Sequence, residues 1–166
     1  MTAVSARTVF TSPIHFLAFG LGSGLAPKAP GTFGTLAAIP LYLVMAQWSL
    51  VTYLGVVLLA LLVGIWICGE SARRLGEHDY GGIVWDEFVG FWITMIAAPT
   101  TGWLWIIVGF IFFRAFDILK PWPIKLIDAK VQGGLGIMLD DVLAGIMAWI
   151  CVQLSAYLFA VFWVFK

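Results

Sequence analysis

Apolar residues fall in long runs divided by short polar or Gly/Pro-rich breaks, not in the alternation that a half-buried strand requires. Residues 50–68 form a run of membrane-spanning length, and 140–165 form a longer one. A membrane helix needs about 20 residues. The runs at 35–47, 83–98 and 103–116 are therefore short, and predict helices that tilt little, thin the bilayer or turn back. Pro40 interrupts the first of these, and Pro99-Thr-Thr-Gly102 divides the other two as a turn. Residues 20–34 hold five glycines and two prolines, which opposes a regular helix and favours tight turns. Such a loop can bring backbone N–H groups to an anion, or simply lead into the first apolar helix. Arg73 and Glu77 stand four apart, as at a solvated helix end. Residues 1–19 are mildly amphipathic, too short in apolar run and poorly flanked for a cleaved signal peptide, and predict an interfacial or frayed segment. The expected fold is all-α and membrane-integral: one domain over 1–166, a compact bundle of about four or five apolar helices, some short or re-entrant.

Composition strengthens the membrane reading. Hydrophobic residues make up 62% and charged residues 11% of the chain, and the mean hydropathy is +1.02, outside the range of soluble domains. Net charge is zero without a basic block, which argues against nucleic acid as a partner. Cys68 and Cys151 sit in apolar surroundings and read as packing residues. If each apolar run crosses the bilayer in turn, Lys28, Arg73, Arg74, Arg114, Lys120, Lys125 and Lys130 gather on one side and the opposite loops carry no lysine or arginine. The positive-inside rule makes that side cytoplasmic.

Against this scarcity of charge, two stretches stand out. Residues 83–90 read Ile-Val-Trp-Asp-Glu-Phe-Val-Gly, and residues 137–144 read Ile-Met-Leu-Asp-Asp-Val-Leu-Ala. Each places an acid pair, Asp86 with Glu87 and Asp140 with Asp141, at the expected N-terminal end of an apolar helix. The helix dipole stabilises one such acid by about 0.3–1 kcal/mol. It does not explain adjacent pairs, because helical neighbours point about 100° apart and one must turn inward. An intramembrane carboxylate costs about 2.5–3.5 kcal/mol at the bilayer centre. A divalent cation offsets that cost, and carboxylate oxygens suit Mg²⁺. Gly90 and Gly145 follow Asp86 and Asp141 by four residues, so each lies one turn below its acid and lets two helices approach. On this reading, oxygens of the two pairs come within about 5 Å, roughly twice a Mg–O distance.

Arg114, Asp117 and Lys120 recur every third residue, so two cations near one carboxylate can grip phosphate oxygens or simply snorkel to the interface. Trp85, Trp122 and the other tryptophans read as interfacial belts. Cys68 and Arg74 have Cys-x₅-Arg spacing, but an apolar helix end is not the backbone cradle that cysteine phosphatases need. His15 and His78 are isolated, and no Gly-x₄-Gly-Lys nucleotide loop is present.

The stretches 20–40 (GLGSGLAPKAPGTFGTLAAIP), 83–90 (IVWDEFVG), 117–124 (DILKPWPI), Asp128 and 133–145 (GGLGIMLDDVLAG) together resemble the phosphatidylglycerophosphatase A family. The resemblance implies a Mg²⁺-dependent phosphatase of the bacterial inner membrane, removing the terminal phosphate of phosphatidylglycerophosphate to leave phosphatidylglycerol. Asp86, Glu87, Asp140 and Asp141 are then expected to hold the metal, with Asp117 or Asp128 on it or beside it. Lys28, Arg114 and Lys120 would neutralise the phosphate, and the loop with Gly22, Ser23, Gly31 and Thr32 would add donors. Bilayer lipids surround the helices, and no obligate protein partner is evident. Attack by a metal-activated water and a covalent phospho-carboxylate both remain open. So do two rival functions: a divalent-cation channel or transporter, and a phosphatase for another lipid phosphomonoester.

Overall fold

A computed structural model describes residues 4–77, 80–99 and 102–164, the side chains of 163 and 164 apart. His78, Thr100, Thr101 and Phe165 lie outside the described residues. The chain runs through α1 (Ala6–Thr11), α2 (Pro13–Ala18), a 3₁₀ segment (Gly20–Leu25), α3 (Pro30–Met45), α4 (Leu50–Leu75), α5 (Trp85–Thr94), α6 (Trp103–Leu119), α7 (Ile124–Lys130) and α8 (Gly133–Val164). No strand occurs among the described residues. Helix ends follow local chemistry. The Ser49 hydroxyl accepts the Thr52 N–H at 3.2 Å to start α4, and Gly76, at φ 73°, ends it in the left-handed region. Pro30 opens α3 at a position where a missing N–H costs nothing.

The bundle is built around α5. Every residue from Glu87 to Thr94 is buried, enclosed by α3, α4, α6 and α8. The apolar run at 83–98 is therefore a core helix, not a lipid-facing span. Its 10 residues reach only ~15 Å, half the ~30 Å of a hydrocarbon core. A helix that stops inside a protein must satisfy its last carbonyls there. Tyr53 of α4 donates to the Trp92 carbonyl at 2.7 Å, and in the turn just past the helix Trp149 Nε1 and Gln153 Nε2 of α8 both donate to the Ile96 carbonyl at 3.0 Å, with Gln153 also reaching the Ala97 carbonyl at 3.2 Å. Two helices, α4 with 26 residues and α8, are long and apolar enough to cross a membrane. α3 and α6, with 16 and 17 residues, are shorter.

Four expectations are corrected. The N-terminal segment does not fray: Val9 and Ala18 are fully buried, and the His15 ring bonds Ser71 of α4. The 20–34 stretch lacks regular α-helix only as far as Ala29, with a kinked 3₁₀ segment over Gly20–Leu25, and Gly31 and Gly34 are helical once Pro30 has nucleated α3. Arg73 pairs with Glu70, three residues back, and not with Glu77. Several tryptophans form no belt. Trp85 stacks on Phe88 and donates to the Ala60 carbonyl at 3.0 Å, and Trp92 donates to the Ala38 carbonyl at 3.1 Å. Among the described side chains, Trp48, Trp66, Trp103 and Trp122 are exposed.

Candidate active site

Four helices and one helix cap converge at one end of the bundle. The first turn of α5 carries Asp86 and Glu87, as the sequence predicts. Asp140 and Asp141 are not at the start of their helix. α8 begins at Gly133, so this pair lies about two turns inside it. The extra turns fit because Gly134 packs against the Ile65 carbonyl of α4, where any side chain would collide.

Carboxylate oxygens of Glu87, Asp117 and Asp141 all lie within 4.8 Å of one another. Glu87 and Asp141 are buried and Asp117 is half-buried. Arg114 ties two of the three together: its Nη1 pairs with Glu87 Oε2 and, at 2.8 Å, with Asp117 Oδ2. The Thr35 hydroxyl lies 3.0 Å from the same Glu87 oxygen and 3.0 Å from the Gly31 carbonyl. Asp141 Oδ2 is buried without a hydrogen-bond partner. A buried acceptor left unpaired is costly, and here it adjoins two further carboxylates. Asp86, Glu87, Asp117, Asp140 and Asp141 outnumber the two cations Arg114 and Lys120. The donor set is all oxygen and in excess negative charge, which fits a hard divalent ion.

Asp86 and Asp140 stand outside that trio. Asp86 Oδ1 accepts the Glu87 N–H at 3.0 Å. Asp140 Oδ1 accepts the Asp141 N–H at 3.1 Å, while its Oδ2 accepts from Lys120 Nζ at 2.7 Å. Lys120, the left-handed C-cap of α6 at φ 40°, also reaches Asp128 of α7 at 2.9 Å. Burial works against its charge, but the bonds to Asp140 and Asp128 outweigh it and raise its pKa above the usual lysine range. Asp128 thus belongs to Lys120 rather than to the carboxylate trio.

The Gly-rich stretch divides. A Cβ on Gly31 would overlap Glu87 Oε1, so this glycine gives the carboxylate room. Gly22, at φ 96°, faces Phe10 instead. The Ser23 hydroxyl donates to the Gly20 carbonyl at 2.8 Å. Thr32 is half-buried without a side-chain hydrogen bond, and Lys28 is exposed without an ion pair among the described residues. Thr35 is the site residue that the sequence reading missed. Its signal was faint: it follows Gly31 by one turn, which matters only once α3 is known to start at Pro30. Cys68 is buried within α4 and Arg74 pairs with Glu70, so the Cys-x₅-Arg spacing builds no phosphate cradle.

The carboxylates and the interleaved cations gather at one end of the apolar bundle, whereas a conduction path would string them through it. The class is a phosphatase. The family model for phosphatidylglycerophosphatase A matches residues 16–156, and the chain belongs to that family. It is 49% identical to phosphatidylglycerophosphatase A of Escherichia coli K12, over 86% of this chain and 83% of that protein. It is 47% identical to the phosphatidylglycerophosphatase A of Haemophilus influenzae, over 88% and 90% of the respective chains. A Bacteroides thetaiotaomicron protein provisionally named a phosphatidylinositol-3-phosphatase is 39% identical over 83% of this chain and 90% of its own. No solved structure matches the chain.

Proposed function

We propose that this chain hydrolyses the terminal phosphomonoester of phosphatidylglycerophosphate, giving phosphatidylglycerol and inorganic phosphate, with Mg²⁺ held by Glu87, Asp117 and Asp141. The substrate is the one named by two relatives that are 49% and 47% identical over most of the chain. The observation that carries the site is Asp141 Oδ2, a buried, partnerless acceptor beside two other carboxylates.

When bound, the divalent ion supplies charge neutralisation and Lewis-acid polarisation of the phosphoryl group. The residues of the chain do the rest. Arg114 fixes Glu87 and Asp117 in place, and Thr35 backs the same Glu87 oxygen. Lys120, half-buried beside Asp140, offers a positive charge to the phosphate oxygens. Asp86 is half-buried, with Oδ1 engaged by the Glu87 N–H and Oδ2 without a hydrogen-bond partner among the described residues. A water oxygen forms the new P–O bond as the ester P–O bond breaks; Asp86 Oδ2 takes the proton of the water, and the departing glycerol oxygen is protonated from solvent. Lys28, Gly22, Ser23 and Thr32 make no contact with the carboxylate group among the described residues, and the scheme assigns them no step.

The setting is a membrane. α4 exposes Val51, Leu54, Leu58, Leu62 and Trp66 along its length, and α8 exposes Ile146, Ile150, Leu154 and Phe162. Lipid tails are the surroundings that make such surfaces stable. The site lies at the end of the bundle rich in lysine and arginine, which the positive-inside rule assigns to the cytoplasm.

The test is phosphate release from a panel of lipid phosphomonoesters, including phosphatidylinositol 3-phosphate, with Mg²⁺ or chelator and with Asp86→Asn. Activity confined to phosphatidylglycerophosphate and lost in both controls is the expected result. Release that survives both controls ends the metal–carboxylate scheme, and release from another lipid alone ends the substrate assignment.

A further inference from the structure

The segment from the end of α6 through α7 combines exposed apolar side chains with exposed lysines. Ile118, Leu119 and Trp122 are 67%, 76% and 79% exposed, beyond the site residues Arg114 and Asp117 and past the apolar body of α6. Ile124 is fully buried and anchors α7, whose inner face also carries Asp128 to Lys120. At 100° per residue, Leu126 and Ala129 centre the opposite face, with Lys125 and Lys130 on either flank. All four are exposed, and neither lysine has an ion pair among the described residues. An apolar strip edged by two cations, preceded by an exposed tryptophan, is the chemistry of a headgroup–acyl boundary in an anionic leaflet.

We infer that the α6–α7 segment lies in the headgroup layer and binds anionic phospholipid through Lys125 and Lys130, with Trp122 and Leu126 inserted beneath. The inference rests on the membrane setting proposed above. It ties the site to the bilayer surface, because Lys120 of this segment bonds Asp128 of α7 on one side and Asp140 of α8 on the other. Anionic lipid then steadies the element that holds Lys120 next to Asp140.

The full chain in nanodiscs is compared by hydrogen–deuterium exchange in phosphatidylcholine alone and with added phosphatidylserine or phosphatidylglycerol. Amides of the α7 region are expected to exchange about ten-fold more slowly with either anionic lipid, and Lys125→Gln/Lys130→Gln removes that protection. Raised salt weakens it in the wild type. Trp122→Ala speeds exchange in every lipid. Phosphate release from a short-chain, monomeric phosphatidylglycerophosphate stays near wild type in the lysine variant, so a folded site is verified in the same preparation. Exchange independent of lipid charge, or protection by phosphatidylglycerol alone, overturns the inference. Failure of the wild type to hydrolyse any lipid phosphomonoester overturns the proposed function instead.

Discussion

Gly145 stands so close to Gly90 that a Cβ on Gly145 would lie 2.5 Å from the Gly90 carbonyl oxygen. The Thr94 hydroxyl bridges the same point, 3.0 Å from the Gly90 carbonyl and 3.4 Å from that of Gly145. One turn towards the site lie Asp86 on α5 and Asp141 on α8, so this contact sets the spacing of the carboxylates. Forcing a methyl into such a contact costs about 1–3 kcal/mol, and an ångström of misplacement can cost about 100-fold in rate. Gly145→Ala is expected to lose at least ~10-fold in phosphate release while still folding. Gly55→Ala, where nothing lies within 4 Å of the added Cβ, is the matched control and stays neutral. Full activity in Gly145→Ala would separate helix spacing from the chemistry.

Asp141 is 3% exposed with an unpaired oxygen, so its charge burdens the metal-free protein. Asp141→Asn is therefore expected to leave the metal-free melting temperature unchanged or raised. In the wild type, an ion at 100 times its Kd stabilises by about 2.7 kcal/mol. The asparagine variant should lose that Mg²⁺-dependent rise in melting temperature, together with about 100-fold or more of its activity. Melting curves with Mg²⁺ and with chelator check both signs. A variant that keeps the full Mg²⁺ shift removes Asp141 from the metal site.

The acid pairs and their glycines were legible because charge is scarce in this chain and helical spacing is regular. Gly90 and Gly145 do bring α5 against α8, and Glu87 does meet Asp141. The depth of α5 was not legible. A continuous apolar run looks the same whether lipid or protein surrounds it, and the burial of Glu87–Thr94 on every side, with Trp149 and Gln153 bonding the turn that follows, is what shows that α5 stops inside the bundle. The partition of the acids was hidden for a similar reason. Asp140 and Asp141 are adjacent in sequence, yet their directions on α8 send one to Lys120 and the other to Glu87 and Asp117. Trp85 misled because an indole suits an interface and a core equally well.

Arg114 joins α6 to α5 through Glu87 and neutralises Asp117 beside it. Removing one partner of a half-buried pair strands the other charges, at about 3–5 kcal/mol for a buried case. Arg114→Ala is expected to be strongly destabilised, and Arg114→Lys to fall between, because lysine lacks the planar fork. Adding Glu87→Gln to Arg114→Ala should recover stability, with a coupling of at least ~1 kcal/mol in a double-mutant cycle. Chemical denaturation in detergent measures it. Strict additivity would show that the pair contributes no net interaction.

His15 ties the N-terminal helices to α4 through a 2.8 Å bond between its Nδ1 and the Ser71 hydroxyl, both side chains being buried. Burial lowers its pKa below 6.5, and the nearby Arg74 charge lowers it further, with Glu70 opposing in part. A histidine with a depressed folded pKa takes up its proton first in the unfolded chain. Its contribution to stability is thus complete above about pH 6.5 and declines as pH falls through the folded pKa. Wild-type melting temperature is expected to drop between pH 7 and pH 5 more steeply than that of His15→Gln, which can bond Ser71 without titrating. The difference between the two curves isolates His15 from the carboxylates, which titrate in both proteins. Parallel curves would mean that the His15–Ser71 contact holds α2 to α4 equally well with the ring protonated.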